Sequence, residues 1–308
     1  MVTLLTLPST VGRYRKAYKN WLKIMIDMVR KKYSITVRLR NGNTYVWPST
    51  VVYFYSVFSS KQISEPSISV NLDMLFTGNR EKENECVRFK YKNADLTLYD
   101  AVYNGRFPAI FLEGRYASLN VHNEIVIDVG TNIGDSAIYF ALNGARKVIA
   151  LEPYPYSYNT AKKNVKINKL DAVIEVLNAG YGKDGFITID PLKKTDPSSV
   201  LVSYDGGERV RIFSLKKLIQ EYNIDSAVIK MNCEGCEYNI IDEDIETLKI
   251  FKEFLIAYHH GHKELENKLK EAGFNVTFRS LQPNCNKSTT KTHMRTGLLY
   301  ARNKENID

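Results

Sequence analysis

The strictest constraint on what this chain can fold into is a change of rhythm near residue 121. Beyond it, short and nearly continuous apolar runs alternate with helical patterns. "EIVIDVG" (124–130), "KVIALEP" (147–153), "AVIEVLNAG" (172–180), "SAVIKMN" (226–232) and "EFLIAYHH" (253–260) read as strands. Between them "DSAIYFALNGA" (135–145), "PYSYNTAKKNVKINKL" (155–170), "SLKKLIQEYN" (214–223), "EYNIIDEDIETLK" (237–249) and "KELENKLKEAG" (263–273) read as helices. "FNVTFRS" and "TGLLYARN" close the pattern as strands. A strand that is apolar throughout is covered on both faces, and strands separated by helices run parallel. The expected architecture is therefore a doubly wound, mostly parallel α/β sheet.

Upstream the rhythm is different. "TVGRYRKAYKNWLKIMIDMVRKKY" (10–33) is cationic and places Tyr18, Trp21, Leu22, Met25, Ile26 and Val29 at helical spacing. It predicts an amphipathic helix docked by that apolar stripe. "SITVRLRNGNTYVW" (34–47) alternates around Asn41-Gly42-Asn43, a hairpin signal. Short aromatic runs follow, with a charged loop at "GNREKENE" (78–85). We expect a smaller N-terminal α+β accessory region over residues 1–115 and the α/β domain over 116–308.

At 308 residues the chain is long enough for a full core, and its 44% hydrophobic and 25% charged residues argue against disorder, collagen-like repeats or a coiled coil. A formal net charge of +9 favours anionic ligands, among them phosphates, nucleic acid and acidic glycans. No apolar run reaches the ~20 residues needed to span a bilayer. The opening "MVTLLTLPSTVG" lacks a charged n-region and a long apolar run, so an intracellular, cytoplasmic protein is expected. Cys86, Cys233, Cys236 and Cys285 are too few and too scattered for a disulfide framework.

In such sheets ligands bind beyond the carboxyl ends of the strands, where the strand order reverses. The first strand of the domain ends in "DVGTNIGD", with Asp128, Gly130 and Gly134 opening a helix. The next ends in "ALEP", which puts Glu152 where an acid accepts hydrogen bonds from both ribose hydroxyls of an adenosine. A dinucleotide site wants a second glycine to admit the pyrophosphate, and here that position is Asn132. The loop is led instead by a carboxylate, Asp128, which suits a cationic ligand. S-adenosylmethionine, a sulfonium without phosphate, fits that electrostatics.

The stretch "VIDVGTNIGDSAIYFALNGARKVIALEPYPYSYNTAKKNVKIN" and the later "RIFSLKKLI…IDSAVIKMNCEGCEYNIID" resemble the FkbM-type S-adenosylmethionine-dependent methyltransferases over roughly residues 115–280. The resemblance implies a class I methyltransferase fold with a seven-stranded sheet and methylation of a hydroxyl on a sugar or other small molecule. Carried over by position, Asp128, Gly130, Asn132 and Gly134 would line the methionine part of the cofactor. Glu152 would hold the ribose, Pro153 and Tyr154 would flank the adenosine, and Asn178 and Ala179 would sit by the adenine. Lys230, Asn232, Glu234 and His259 become the candidate catalytic residues, with Glu234 or His259 as the base. Two positions depart from the family pattern. Asn232 replaces the usual aspartate, and Ala257-Tyr258-His259 lacks an acid before the histidine. Both changes remove carboxylates, so no metal is expected.

Cys233 and Cys236 form a C-x-x-C pair, but no second C-x-x-C or H-x-x-x-H accompanies it for zinc, and it follows the wrong strand for thioredoxin-like chemistry. The two cysteines are expected to fill space beside Glu234-Gly235, with a reversible disulfide as the lesser reading. The acceptor is expected to be a small molecule or glycan. Two alternatives stay open: a nucleic-acid methyltransferase gripping RNA or DNA through the basic N-terminal region, and a non-catalytic protein that keeps the fold. No Asn-Pro-Pro-Tyr-like tetrapeptide stands at the fourth strand end, which argues against base amine methylation. A homo-oligomer paired through the accessory region is also possible.

Overall fold

A computed structural model describes residues 8–32, 34–61, 86–101, 106–190, 203–280 and 296–304. The chain divides into two compact units, Met1–Gly114 and Arg115–Asp308. The charged loop at 78–85, Cys285 and residues 193–202 of the insertion at 193–209 lie outside the described residues.

The first unit holds α1 (Pro8–Ala17), α2 (Trp21–Val29), β1 (Ser34–Arg38), β2 (Thr44–Pro48), α3 (Ser49–Lys61), β3 (Cys86–Tyr91) and β4 (Ala94–Tyr99). A single turn of π-helix follows at Pro108–Leu112. The hairpin expected around Asn41-Gly42-Asn43 forms, with Ile35 opposite Trp47, Val37 opposite Tyr45, and Gly42 at φ +100°. The helix expected over 10–33 is instead two. Asn20 breaks it, because its side chain accepts from the Arg38 main-chain N–H at 2.8 Å and donates to the Thr36 carbonyl at 2.9 Å. Those bonds sew the α1–α2 turn to β1. The expected docking stripe also divides. Tyr18 and Met25 are buried, whereas Leu22, Ile26 and Val29 point to solvent.

In the second unit β5 (Ile125–Val129), α4 (Asp135–Leu142), β6 (Lys147–Leu151), α5 (Pro155–Ile167) and β7 (Ile174–Leu177) make two βαβ crossovers. Beyond β8 (Ala179–Tyr181), β9 (Gly185–Ile189) and β10 (Glu208–Phe213), the chain returns through α6 (Leu215–Tyr222) to β11 (Ala227–Met231). It continues through α7 (Ile245–Lys249), β12 (Phe251–Tyr258), α8 (Lys263–Glu271), β13 (Phe274–Ser280) and β14 (Gly297–Asn303). The main sheet has seven strands in the order β13-β14-β12-β11-β5-β6-β7, parallel except at β14, which is antiparallel to both neighbours. β5 and β11 are buried along nearly their whole length, as their continuous apolar sequences require.

One expected strand is two. The run at 172–180 leaves the main sheet at Asn178, and β8 pairs instead with β10 in a separate three-stranded sheet ordered β8-β10-β9. The helix expected over 237–249 is likewise divided, into a 3-10 segment at Cys236–Asp242 and the short α7, capped by Asp244 on the Thr247 N–H. Strand order reverses between β5 and β11, since the chain builds outward from β5 to β7 and then crosses back to β11. That reversal opens a crevice above the carboxyl ends of β5 and β11. Among the described residues, no helix is long and apolar enough to cross a membrane.

Candidate active site

Asp128 and Lys230 are register partners on β5 and β11, directly below the strand reversal, and both are essentially without solvent exposure. Lys230 Nζ donates to Asp128 Oδ1 at 2.7 Å and to the Gly130 carbonyl at 2.9 Å. Ser136 Oγ donates to the other Asp128 oxygen at 2.6 Å. Burial alone would pull the Lys230 ammonium down, but Asp128 outweighs it and the pKa is raised. The expectation that Asp128 presents a carboxylate to a cationic ligand is therefore corrected: its charge is already compensated inside the protein. Lys230 likewise offers no ammonium to a substrate. The pair is a buried strut that holds the main chain of the glycine loop.

Three residues of that loop lie in the left-handed region, Gly130 at φ +74°, Asn132 at +52° and Gly134 at +84°. A Cβ on Gly130 would also collide with the Asn232 carbonyl oxygen, just past the end of β11. At Gly134 the crowding atoms are Cα and Cβ of Ala161 on α5, both at 3.2 Å. The Thr131 hydroxyl is buried in the same loop with no hydrogen-bond partner.

Glu152, at the end of β6, ties two loops together. Its Oε2 accepts from the Asn132 N–H at 2.9 Å and its Oε1 from the Tyr154 N–H at 3.1 Å. Each oxygen keeps a second lone pair. Burial pushes the carboxyl up to about 7, against the pull of the Tyr154 and Asn132 main-chain donors and of Lys230. Asn178 supports the same turn by donating to the carbonyls of Glu152 at 3.1 Å and Pro153 at 2.9 Å. Ala179 is buried at the start of β8. The Tyr154 ring packs with Ile189 and Val210 in a small apolar cluster of its own, so its side chain serves the core.

The third group sits where β11 and β12 end. His259 is held between two carboxylates, with Nδ1 at 2.8 Å from Glu237 and Nε2 at 3.2 Å from Glu234. Glu237 is fully buried, accepts from the main-chain N–H groups of Gly235 and His259, and was not singled out from the sequence. Its signal was available: it lies three residues after Glu234, on the 3-10 turn that folds back beneath it. Burial alone would lower the His259 imidazole, but the hydrogen bonds and charges of Glu234 and Glu237 carry it up to about 9. Near neutral pH His259 is an imidazolium held between the two carboxyl groups. Tyr238 locks the two strand ends together, donating to the Gly261 carbonyl at 2.6 Å and accepting from the His260 N–H at 2.8 Å. Asn232 stands beside the Tyr116 hydroxyl at 3.5 Å, a weak contact at the limit of hydrogen bonding.

Cys233 and Cys236 are joined in a disulfide rather than lying as separate space-filling thiols. The four-residue loop they close contains Glu234 at φ +55°, rare for a non-glycine residue, and Gly235 at φ +122°. Around Gly235 there is room, the nearest group to an added Cβ being His260 at 3.9 Å.

The residues fit a nucleoside that carries no phosphate. Glu152 retains two acceptor lone pairs for a diol, Thr131 contributes an unsatisfied hydroxyl, and Asn132 occupies the position a pyrophosphate needs as glycine. Cofactor affinity should then depend on Glu152 ionisation. Hydroxyl donors favour the carboxylate, so binding tightens as pH rises towards about 7 and levels off above it. Calorimetric titration with S-adenosylhomocysteine should show affinity falling about tenfold per pH unit below that point. An affinity independent of pH would remove Glu152 from the ribose site.

Residues 128–276 match the sequence model of a family described as "Methyltransferase FkbM domain". Over 57 residues the chain is 44% identical to a ribosomal protein L11 methyltransferase of Heliobacterium modesticaldum, covering 18% of each chain. It is 27% identical over 147 residues to an uncharacterized protein 158B of Sulfolobus islandicus rod-shaped virus 1, covering 48% of this chain and 68% of that one. Among solved structures, TYW2 of M. jannaschii in complex with AdoMet overlaps 70% of this chain and 85% of its own, with 16% identity and a TM-score of 0.40.

Proposed function

We propose, from the match of residues 128–276 to the FkbM methyltransferase domain, that this chain is a methyltransferase of that family and methylates a hydroxyl oxygen on a sugar, glycan or other small molecule. S-adenosylmethionine, when bound, supplies a methyl group activated by its sulfonium. The protein's own residues divide the remaining work. The Asp128–Lys230 strut fixes the glycine loop, and Glu152 holds the ribose hydroxyls through its two remaining lone pairs.

The observation that carries the choice of oxygen is the Glu237–His259–Glu234 trio at the ends of β11 and β12. A hydroxyl acceptor must give up its proton as the new bond forms, and a nearby group has to take it. Glu234, hydrogen-bonded to the His259 ring at 3.2 Å, is the group assigned to take that proton. Glu234 and His259 are partly exposed and Glu237 is buried, so Glu234 is taken as the entry point, with His259 and Glu237 positioning it.

The test is transfer of an isotopically labelled methyl group into a mixture of free sugars, glycans and small hydroxylated metabolites, read by mass spectrometry and fragmentation. Label on oxygen supports the assignment, and label found only on nitrogen or carbon overturns it. Glu152→Ala should at the same time abolish the rise in melting temperature that S-adenosylhomocysteine produces.

A further inference from the structure

The +9 net charge of this chain is not spread over it. Residues 8–48 contain ten Lys and Arg (Arg13, Arg15, Lys16, Lys19, Lys23, Arg30, Lys31, Lys32, Arg38 and Arg40) against one acid, Asp27. The rest of the chain therefore holds 33 cations and 33 anions, from totals of 43 and 34, and is neutral. Asp27 is itself buried and paired with Lys32 at 2.7 Å. All the excess charge belongs to α1, α2 and the first hairpin.

α2 carries a second feature. Its inner face is apolar, with Ile24 and Met25 buried, as packing against β1 requires. Its outer face is apolar as well. Leu22, Ile26 and Val29 recur at i, i+4 and i+7 and are 59%, 45% and 45% exposed. An apolar stripe on a surface helix normally faces the core. Lys23 and Arg30 lie on the exposed flank of the stripe, Lys19 stands just before the helix, and Lys31 follows it.

We propose that this face docks on an anionic lipid surface, with Leu22, Ile26 and Val29 entering the headgroup–acyl boundary and the surrounding cations facing the headgroups. Aliphatic side chains gain little from a phosphate backbone, so a nucleic acid would leave the stripe in water. A second copy of the chain would cover the stripe but bring ten cations against ten. An anionic bilayer satisfies both features together, and neither demands a directional partner. The attachment is peripheral, and it would hold the enzyme where amphiphilic or membrane-bound hydroxyl compounds are found.

The experiment is flotation of the full chain with two kinds of vesicle, phosphatidylcholine alone and an equimolar mixture of phosphatidylcholine and phosphatidylglycerol. The chain should float with the anionic vesicles and stay behind with the neutral ones. Leu22→Ser/Ile26→Ser should weaken binding about tenfold by removing inserted apolar surface. Lys23→Glu/Arg30→Glu should weaken it by more than about tenfold. Both pairs replace exposed side chains remote from the fold's buried contacts. Absence of binding to anionic vesicles overturns the proposal. So does binding that the charge reversals abolish and the serine pair leaves intact, because that is simple polyanion attraction. Retention of polyuridine in place of vesicles would assign the face to nucleic acid and overturn it equally. Methyl transfer to soluble acceptors is a separate readout, so failure here leaves the catalytic assignment standing.

Discussion

Lys230→Met is expected to destabilise the unit Arg115–Asp308 by about 3–5 kcal/mol, the penalty for leaving a buried carboxylate without its partner. Asp128 has essentially no exposure to water, and the Ser136 hydroxyl is a poor substitute for an ammonium at 2.7 Å. The same substitution frees the Gly130 carbonyl, so the glycine loop loses its anchor along with its counter-charge. Chemical denaturation checks the first consequence. The double variant Asp128→Asn/Lys230→Met checks the cause, since it removes both charges and should recover most of the lost stability. If the single variant unfolds at wild-type denaturant concentration, the strut contributes nothing. If the double variant is as unstable as the single one, burial of charge is not the reason.

Glu234→Gln should lower kcat by about 10²–10⁴ while leaving S-adenosylhomocysteine affinity within about twofold. The amide keeps the size of the side chain but cannot take a proton from the acceptor hydroxyl. Wild-type turnover, or a loss of cofactor affinity as large as the loss of rate, would remove Glu234 from the reacting centre. His259 adds a pH signature. Its imidazolium holds Glu234 in place, so kcat should fall as pH rises through about 9. A rate that rises there instead would mean that His259 itself takes the proton. The linkage sign for stability is the same. A histidine raised from its ordinary value contributes fully below about 6.5, on the order of 3 kcal/mol, and that contribution is lost as pH climbs through about 9.

The disulfide bears on the same residues. It closes the loop that keeps Glu234 in a left-handed backbone conformation opposite His259. What first reads as a pair of thiols thus belongs to the framework of the Glu237–His259–Glu234 trio, alongside the 3-10 turn that brings Glu237 beneath it.

Much of the architecture was legible because it depends on local pattern. The apolar runs ending at Val129, Leu151, Met231 and Tyr258 could only be buried strands, and the helices between them forced parallel pairing. The glycine loop and Glu152 were legible because a strand-to-helix turn at the sheet's carboxyl edge needs such residues at such spacing. The step of the chain off the sheet at Asn178 was not legible. A four-residue and a three-residue strand in succession have the same pattern as one continuous strand, and only their partners distinguish them. On α2 the period was clear but its phase was not, because apolar residues stand on both its inner and its outer side. The direction it turns was set by the bonds from Asn20 to β1.

The sequence by itself determined a parallel sheet, the loop above its first strand and the identities of the titratable residues near the strand ends. Tertiary structure decided which charges are available. Asp128 and Lys230 are separated by 102 residues and become a closed pair only when β5 and β11 align in register. Glu237 and His259 meet only when the ends of β11 and β12 are locked together by Tyr238. The reason is physical. Backbone periodicity is written in neighbouring residues, whereas the charge state of a buried group depends on what lies within a few ångströms of it, and in this fold those neighbours come from distant parts of the chain.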